Sequence, residues 1–155
     1  MLRDRNLIPL SHHHQHALAL CVRLERGLKQ RGDAAALAQW QAEIAQQFEA
    51  ELRFHFEAEE TIVFPAASRL DKLKLLVQDF MVEHRILRMY AQKAADRQLG
   101  RDGLEGFAEV LSRHVRKEER QLFEECQRLL TPPELQRIGS ELQTYFQDIT
   151  TIPSL

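Results

Sequence analysis

Seven histidines stand in a chain of 155 residues, and two of them open a spacing that chemistry can use. His55-Phe-Glu-Ala-Glu59 and His114-Val-Arg-Lys-Glu118 both read His-x-x-x-Glu. Residues four apart on a helix share a face, so each segment presents an imidazole and a carboxylate to the same side. His14 and His84 stand singly, each within a run of apolar residues recurring every three or four positions. Buried carboxylates without partners are strongly disfavoured, and four imidazoles in an apolar layer leave ring nitrogens unsatisfied. A bound cation resolves both. The mixed N/O donors suit iron or another first-row transition metal, and the absence of thiolates argues against a structural Cys-rich zinc site. Carboxylates can bridge, and six ligands exceed what one open site uses, so two metal ions are favoured over one.

For that donor set to exist, four segments must bring it together, and apolar periodicity supplies them. The first, about residues 11–30, carries Leu7, Leu10, His14, Ala17, Cys21, Leu24 and Leu28 on one stripe. The second, about 34–64 and stopped by Pro65, carries Trp40, Ile44, Phe48, Glu51, His55, Glu59 and Ile62. The third, about 69–98, reads Leu73, Val77, Phe80, His84, Leu87, Ala91 and Ala94. The fourth, about 102–130, reads Leu104, Phe107, Leu111, His114, Glu118, Leu122 and Leu129. Short polar or Gly/Pro connections make neighbouring helices antiparallel. Asp102-Gly-Leu-Glu105 and Thr131-Pro-Pro-Glu134 read as capping boxes, the second opening a final short helix expected outside the bundle. The expected fold is all-α, an up-down-up-down four-helix bundle at about 9–130 with a short additional C-terminal helix at about 133–149, in a single domain over 1–155.

The histidines must also meet in depth. At about 1.5 Å rise per residue, His84 and His114 lie roughly 21 and 18 Å from the turn joining their helices. His14 and His55 lie roughly 24 and 31 Å from theirs, a mismatch of little more than one helical pitch. One layer can hold all four.

Among the remaining histidines, His12, His13 and His16 are expected in solvent, although His13 is close enough in angle to His14 that supporting a ligand or substituting for one is its alternative role. Glu51 is either an acceptor for an imidazole N–H or an outward-tilted surface charge, and Glu60 and Glu119 are expected to face solvent. Leu10, Ala17, Ile62, Phe80, Leu87 and Leu111 would wall the site.

Composition bounds the rest. The chain is 44% hydrophobic and 28% charged, with 6 Gly and 5 Pro, ordinary for a globular protein built of long helices. Its net charge of -2 gives no reason to expect nucleic acid or a membrane as partner. Cys21 and Cys126 are neither a CxxC pair nor a framework, and read as buried thiols of a reducing compartment. No run of apolar residues is long enough for a membrane span, so a cytoplasmic protein is expected.

From Pro9 to about Leu130 the chain resembles the hemerythrin-like, HHE cation-binding domains. The resemblance is carried by Leu10-Ser11-x-x-His14-x-x-Ala17-Leu18, His55-Phe56-x-x-Glu59-Glu60 with Phe64-Pro65, Glu83-His84-x-x-Leu87-Arg88, and His114-x-Arg116-x-Glu118-Glu119-Arg120-x-Leu122-Phe123. It implies a four-helix bundle holding a non-haem di-iron centre, one histidine from each helix and bridging carboxylates from the second and fourth. Position by position, the implied ligands are His14, His55, Glu59, His84, His114 and Glu118. The oxygen-carrying members supply two histidines four apart from the third helix, whereas Phe80 and Arg88 flank His84 at that spacing here. One iron would then have fewer protein ligands, which points away from reversible oxygen storage.

The expected function is that of a non-haem di-iron binding protein, about two iron ions per chain bridged by carboxylates, that binds or senses oxygen or nitric oxide. The alternatives are a di-iron oxidase or peroxidase-type enzyme, and an iron storage or donor module. Nothing in the sequence names an organic substrate pocket or a general acid or base beyond the ligands. A metal- and ligand-binding protein is therefore expected over a dedicated enzyme. Oligomeric state is not legible in the sequence.

Overall fold

A computed structural model of the chain describes residues 1–151. Its helices are α1 (Ile8–Gln30), α2 (34–68), α3 (Lys74–Ala95), α4 (101–129) and α5 (Pro132–Thr151), and the described residues contain no strand. The chain is thus an all-helical bundle, with α1 packed most extensively on α4 and α2 on α3.

Several boundaries differ from expectation for local reasons. α1 starts at Ile8 because Pro9 sits in its first turn, where helical φ is pre-set and no N–H is needed. α2 opens on Asp33, whose side chain accepts the Ala36 N–H at 3.3 Å, and it does not stop at Pro65. A π turn over Glu59–Val63 ends just before that proline. Pro65 then falls in the first turn of a fresh α segment, Phe64–Ser68, and interrupts nothing. Residues 69–73 form a turn and a short 3₁₀ piece, so α3 begins at Lys74. It closes at Ala95 through Arg97, a non-glycine residue at φ 58°, with Gln98 N–H donating to Lys93 O at 2.8 Å.

Asp102 forms no capping box. α4 is preceded by Gly100, which contributes no side-chain cap, and Glu105 instead accepts from Arg101 Nε at 3.0 Å. The second box is real: Glu134 Oε2 accepts the Thr131 N–H at 2.8 Å, while Thr131 Oγ1 accepts the Glu134 N–H at 3.3 Å. α5 packs on residues 53–63 of α2. Its Leu135, Ile138 and Leu142 are buried with Leu7, Leu10, Phe64 and Leu122.

The apolar interior falls into two clusters. One holds Leu10, Val63, Phe80 and Leu122, the other Ala17, Leu52, Leu87 and Leu111. On every bundle helix the polar residue of the stripe lies between a member of one cluster and a member of the other. Each fully buried Leu or Phe contributes about 1.5–3 kcal/mol. The two clusters flank, and help offset the cost of, one polar layer.

Candidate metal centre

The layer contains the six residues expected there. His14, His55, Glu59, His84, His114 and Glu118 are all buried, none more than 3% exposed. They form two groups of potential ligand atoms, His14–His55–Glu59–Glu118 and His84–His114–Glu59–Glu118, each with its atoms within 4.8 Å of one another. Both carboxylates belong to both groups. His14 Nε2 is 3.5 Å from Glu118 Oε2 and 3.9 Å from Glu59 Oε2, and His55 Nε2 is 3.1 Å from Glu59 Oε1. His84 Nε2 is 3.4 Å from Glu59 Oε1 and 3.6 Å from Glu118 Oε1, and His114 Nε2 contacts Glu118 Oε1. Each group has two imidazoles, and the single histidine of α3 belongs to the second.

Local backbone contributes to this convergence. Glu59 and Glu118 each open a π turn, Glu59–Val63 and Glu118–Phe123. Single π turns inside α-helices recur at functional sites. A further π turn, Phe48–Leu52, lies between the α1–α2 connection and His55. Its wider winding absorbs part of the excess depth expected for His55, which meets His14 with their Nε2 atoms 3.0 Å apart.

Behind three of the imidazoles stand carboxylate acceptors, two of them expected from the sequence to face solvent. Glu119 is not a solvent-facing charge: its Oε1 accepts from His14 Nδ1 at 2.8 Å and from Ser11 Oγ at 2.6 Å. Nor is Glu60, whose Oε2 lies 2.6 Å from His84 Nδ1 and 2.8 Å from Arg88 Nη1. Glu83, just before His84 in the chain, accepts from His114 Nδ1 at 2.7 Å and from Lys117 Nζ at 2.7 Å. His13 is not left in solvent: it is half-buried, with its Nδ1 3.1 Å from His55 Nδ1. Glu51 does meet an imidazole, but that of exposed His16, at 2.9 Å. His12 is exposed.

These contacts fix protons. A carboxylate behind Nδ1 holds the N–H there and leaves the Nε2 lone pair facing inward. His84 and His114 bring their Nε2 atoms within 3.1 Å of each other, and none of the four oxygens of Glu59 and Glu118 has a hydrogen-bond partner. Converging imidazole nitrogens and orphaned buried carboxylate oxygens are costly without a cation and coordinate one when it is present. The residues fit a metal.

In the metal-free protein the same crowding shifts protonation. Burial opposes charge on His114, but Glu118 and Glu83 outweigh it and raise the imidazole to about 9. His14 is raised likewise, against burial, by Glu118 and Glu119. His55 is held well below its usual value by burial and by its neighbour His14. Burial and the adjacent Glu118 push Glu59 well above the usual carboxylate range; Glu118, despite equal burial, is held well below it by His114.

Aromatic rings close the layer. Phe56 stacks on His84 at 4.1 Å and Phe123 on His14 at 5.4 Å, while Phe80 meets His114 edge-on at 5.3 Å. Phe80, one of the two residues four positions from His84, is thus part of the apolar wall.

A helical bundle whose buried layer converges paired imidazoles on two shared carboxylates is a cation-binding domain. The family model for the hemerythrin HHE cation-binding domain matches residues 9–126, and the chain belongs to that family. No curated protein and no solved structure matches it. Among the described residues no helix is long and apolar enough to cross a membrane.

Proposed function

We propose that the protein holds two iron ions, bridged by Glu59 and Glu118, and that this centre binds or senses a small diatomic ligand, oxygen or nitric oxide. The reading is carried by one observation: the two buried ligand groups share both carboxylates. Carboxylates common to two donor sets bridge two ions, and all-N/O ligation suits iron. Bound iron would supply the redox chemistry and the coordination positions that a diatomic ligand needs.

The chain's own residues do the remainder. His14 and His55 would hold one ion, His84 and His114 the other. Glu60, Glu83 and Glu119 keep protons on the outer ring nitrogens, so that the inner ones stay available. Phe56, Phe64, Phe80 and Phe123 set apolar rings against the imidazoles and limit water.

Elemental analysis of anaerobically purified protein tests the metal, with about two iron per chain expected. Exposing the reduced, iron-loaded protein to oxygen or nitric oxide tests the ligand. New charge-transfer absorption is expected, and an iron-loaded protein that shows no spectral response to either gas would sink the proposal.

A further inference from the structure

The two halves of the bundle repeat one arrangement. His14 on α1 corresponds to His84 on α3, and His55-x-x-x-Glu59-Glu60 on α2 corresponds to His114-x-x-x-Glu118-Glu119 on α4. The second glutamate of each run reaches the lone histidine of the other half: Glu60 backs His84 and Glu119 backs His14. The residue before each lone histidine backs the paired histidine of the other helix, so Glu83 backs His114 and His13 backs His55. The correspondence fails at that last place alone. Three imidazoles lean on carboxylates and the fourth leans on another imidazole.

We infer that the two cation positions are unequal, that the His14–His55 position binds more weakly, and that His13 is the positioning residue that makes it so. For His55 Nε2 to face Glu59, its proton must sit on Nδ1, which then donates to the lone pair of His13 Nδ1. A neutral nitrogen accepts that proton less strongly than an anionic oxygen, because charge-assisted hydrogen bonds are about twice as strong. A weaker pull on Nδ1–H leaves Nε2 a poorer donor to metal.

Net charge is not the cause. Arg3 pairs with Glu119, Arg88 with Glu60 and Lys117 with Glu83, each within 2.8 Å, so every backing carboxylate is neutralised from outside. The inequality resides in one hydrogen bond. His13 is kept in place by Phe146 of α5, whose ring meets it edge-on at 4.8 Å. That contact comes from beyond residues 9–126, the span that the family model covers.

The inference rests on the two-ion reading, and calorimetric titration of chelator-treated protein with cobalt(II) separates the two. Repulsion between neighbouring cations spreads the two binding steps in every variant, so the change in their spacing is the readout. Outer-shell partners are worth about 10–100-fold in metal affinity. H13E should strengthen the weaker step and bring the two closer by about 10-fold or more, or yield a second step where wild type has only one. H13Q, which keeps a neutral acceptor, should leave the spacing as in wild type. E83Q should narrow it from the other side by weakening the tighter step, and carries the test alone if H13E does not fold. Two ions bound with a spacing that a folded H13E does not narrow, or that E83Q does not narrow, would overturn the role of His13 and leave the two-ion reading standing. One ion or none in every variant would overturn the two-ion reading, and this inference with it.

Discussion

Glu119 is the chain neighbour of Glu118, yet it serves a different helix: its Oε1 lies 2.8 Å from Nδ1 of His14 on α1, while Glu118 faces the interior of the layer. One pair of adjacent glutamates thus supplies a candidate bridge and the support of a ligand across the bundle. Replacing Glu119 by Gln should preserve the fold and lower cation affinity by about 10–100-fold. Metal titration beside a thermal melt checks this, and unchanged affinity would remove Glu119 from the site.

Stability of the chelated protein should fall as pH rises from about 6.5 to 9. His114 has a raised folded value of about 9, so its contribution is complete below the unfolded value near 6.5 and is lost as pH rises through 9. Below about 6.5, His55, held low by burial, loses its contribution as pH falls, while Glu59, held high by burial and Glu118, gains one, so the two oppose each other there. Thermal melts of metal-free protein from pH 6.5 to 9.5 should trace that fall, and a melting temperature that is level or rises over this range would contradict it.

Cys21 and Cys126 are buried, and burial pushes both thiols up to about 12. Thiolate is the reactive form, so alkylation at pH 8 should be negligible in the folded protein and complete after denaturation. Mass spectrometry after a timed iodoacetamide pulse decides it; rapid labelling without denaturant would show that the helices open locally around these residues.

Arg97 closes α3 in the left-handed region at φ 58°. An L side chain there costs roughly 1–2 kcal/mol, which glycine does not incur, although glycine's freer unfolded chain offsets part of the gain. Arg97→Gly should raise stability by about 1 kcal/mol in a denaturant melt. A loss would mean that the arginine side chain, whose Nη1 reaches Ala94 O at 3.4 Å, outweighs the strain.

Much of the site was legible because helical phase and rise are regular. His84 and His114 stand at similar depth from one turn, and each bundle helix carries its polar intrusion on an otherwise apolar stripe. Glu60 and Glu119 were misread for a physical reason. A residue one step past an inward position points sideways, which means solvent for a lone helix and a neighbouring histidine in a bundle. The doubled glutamate of both His-x-x-x-Glu-Glu runs is the signal that separates these cases. Glu83 lay inside a quoted motif, but only pairing of α3 with α4 shows what it touches. The π turns at Glu59 and Glu118 leave no mark on apolar spacing, and with Pro65 they concealed the true end of α2.

The shared glutamates have a last consequence. Residues 8–68 contribute His14, His55 and Glu59, and residues 74–129 contribute His84, His114 and Glu118, but each ligand group borrows one carboxylate from the other hairpin. The supports of the lone histidines cross the same boundary, Glu60 outward and Glu119 back. Neither hairpin therefore encloses a whole coordination sphere. On the proposed two-ion reading, cation capture depends on their docking, and occupancy of the site would report that the two halves have come together.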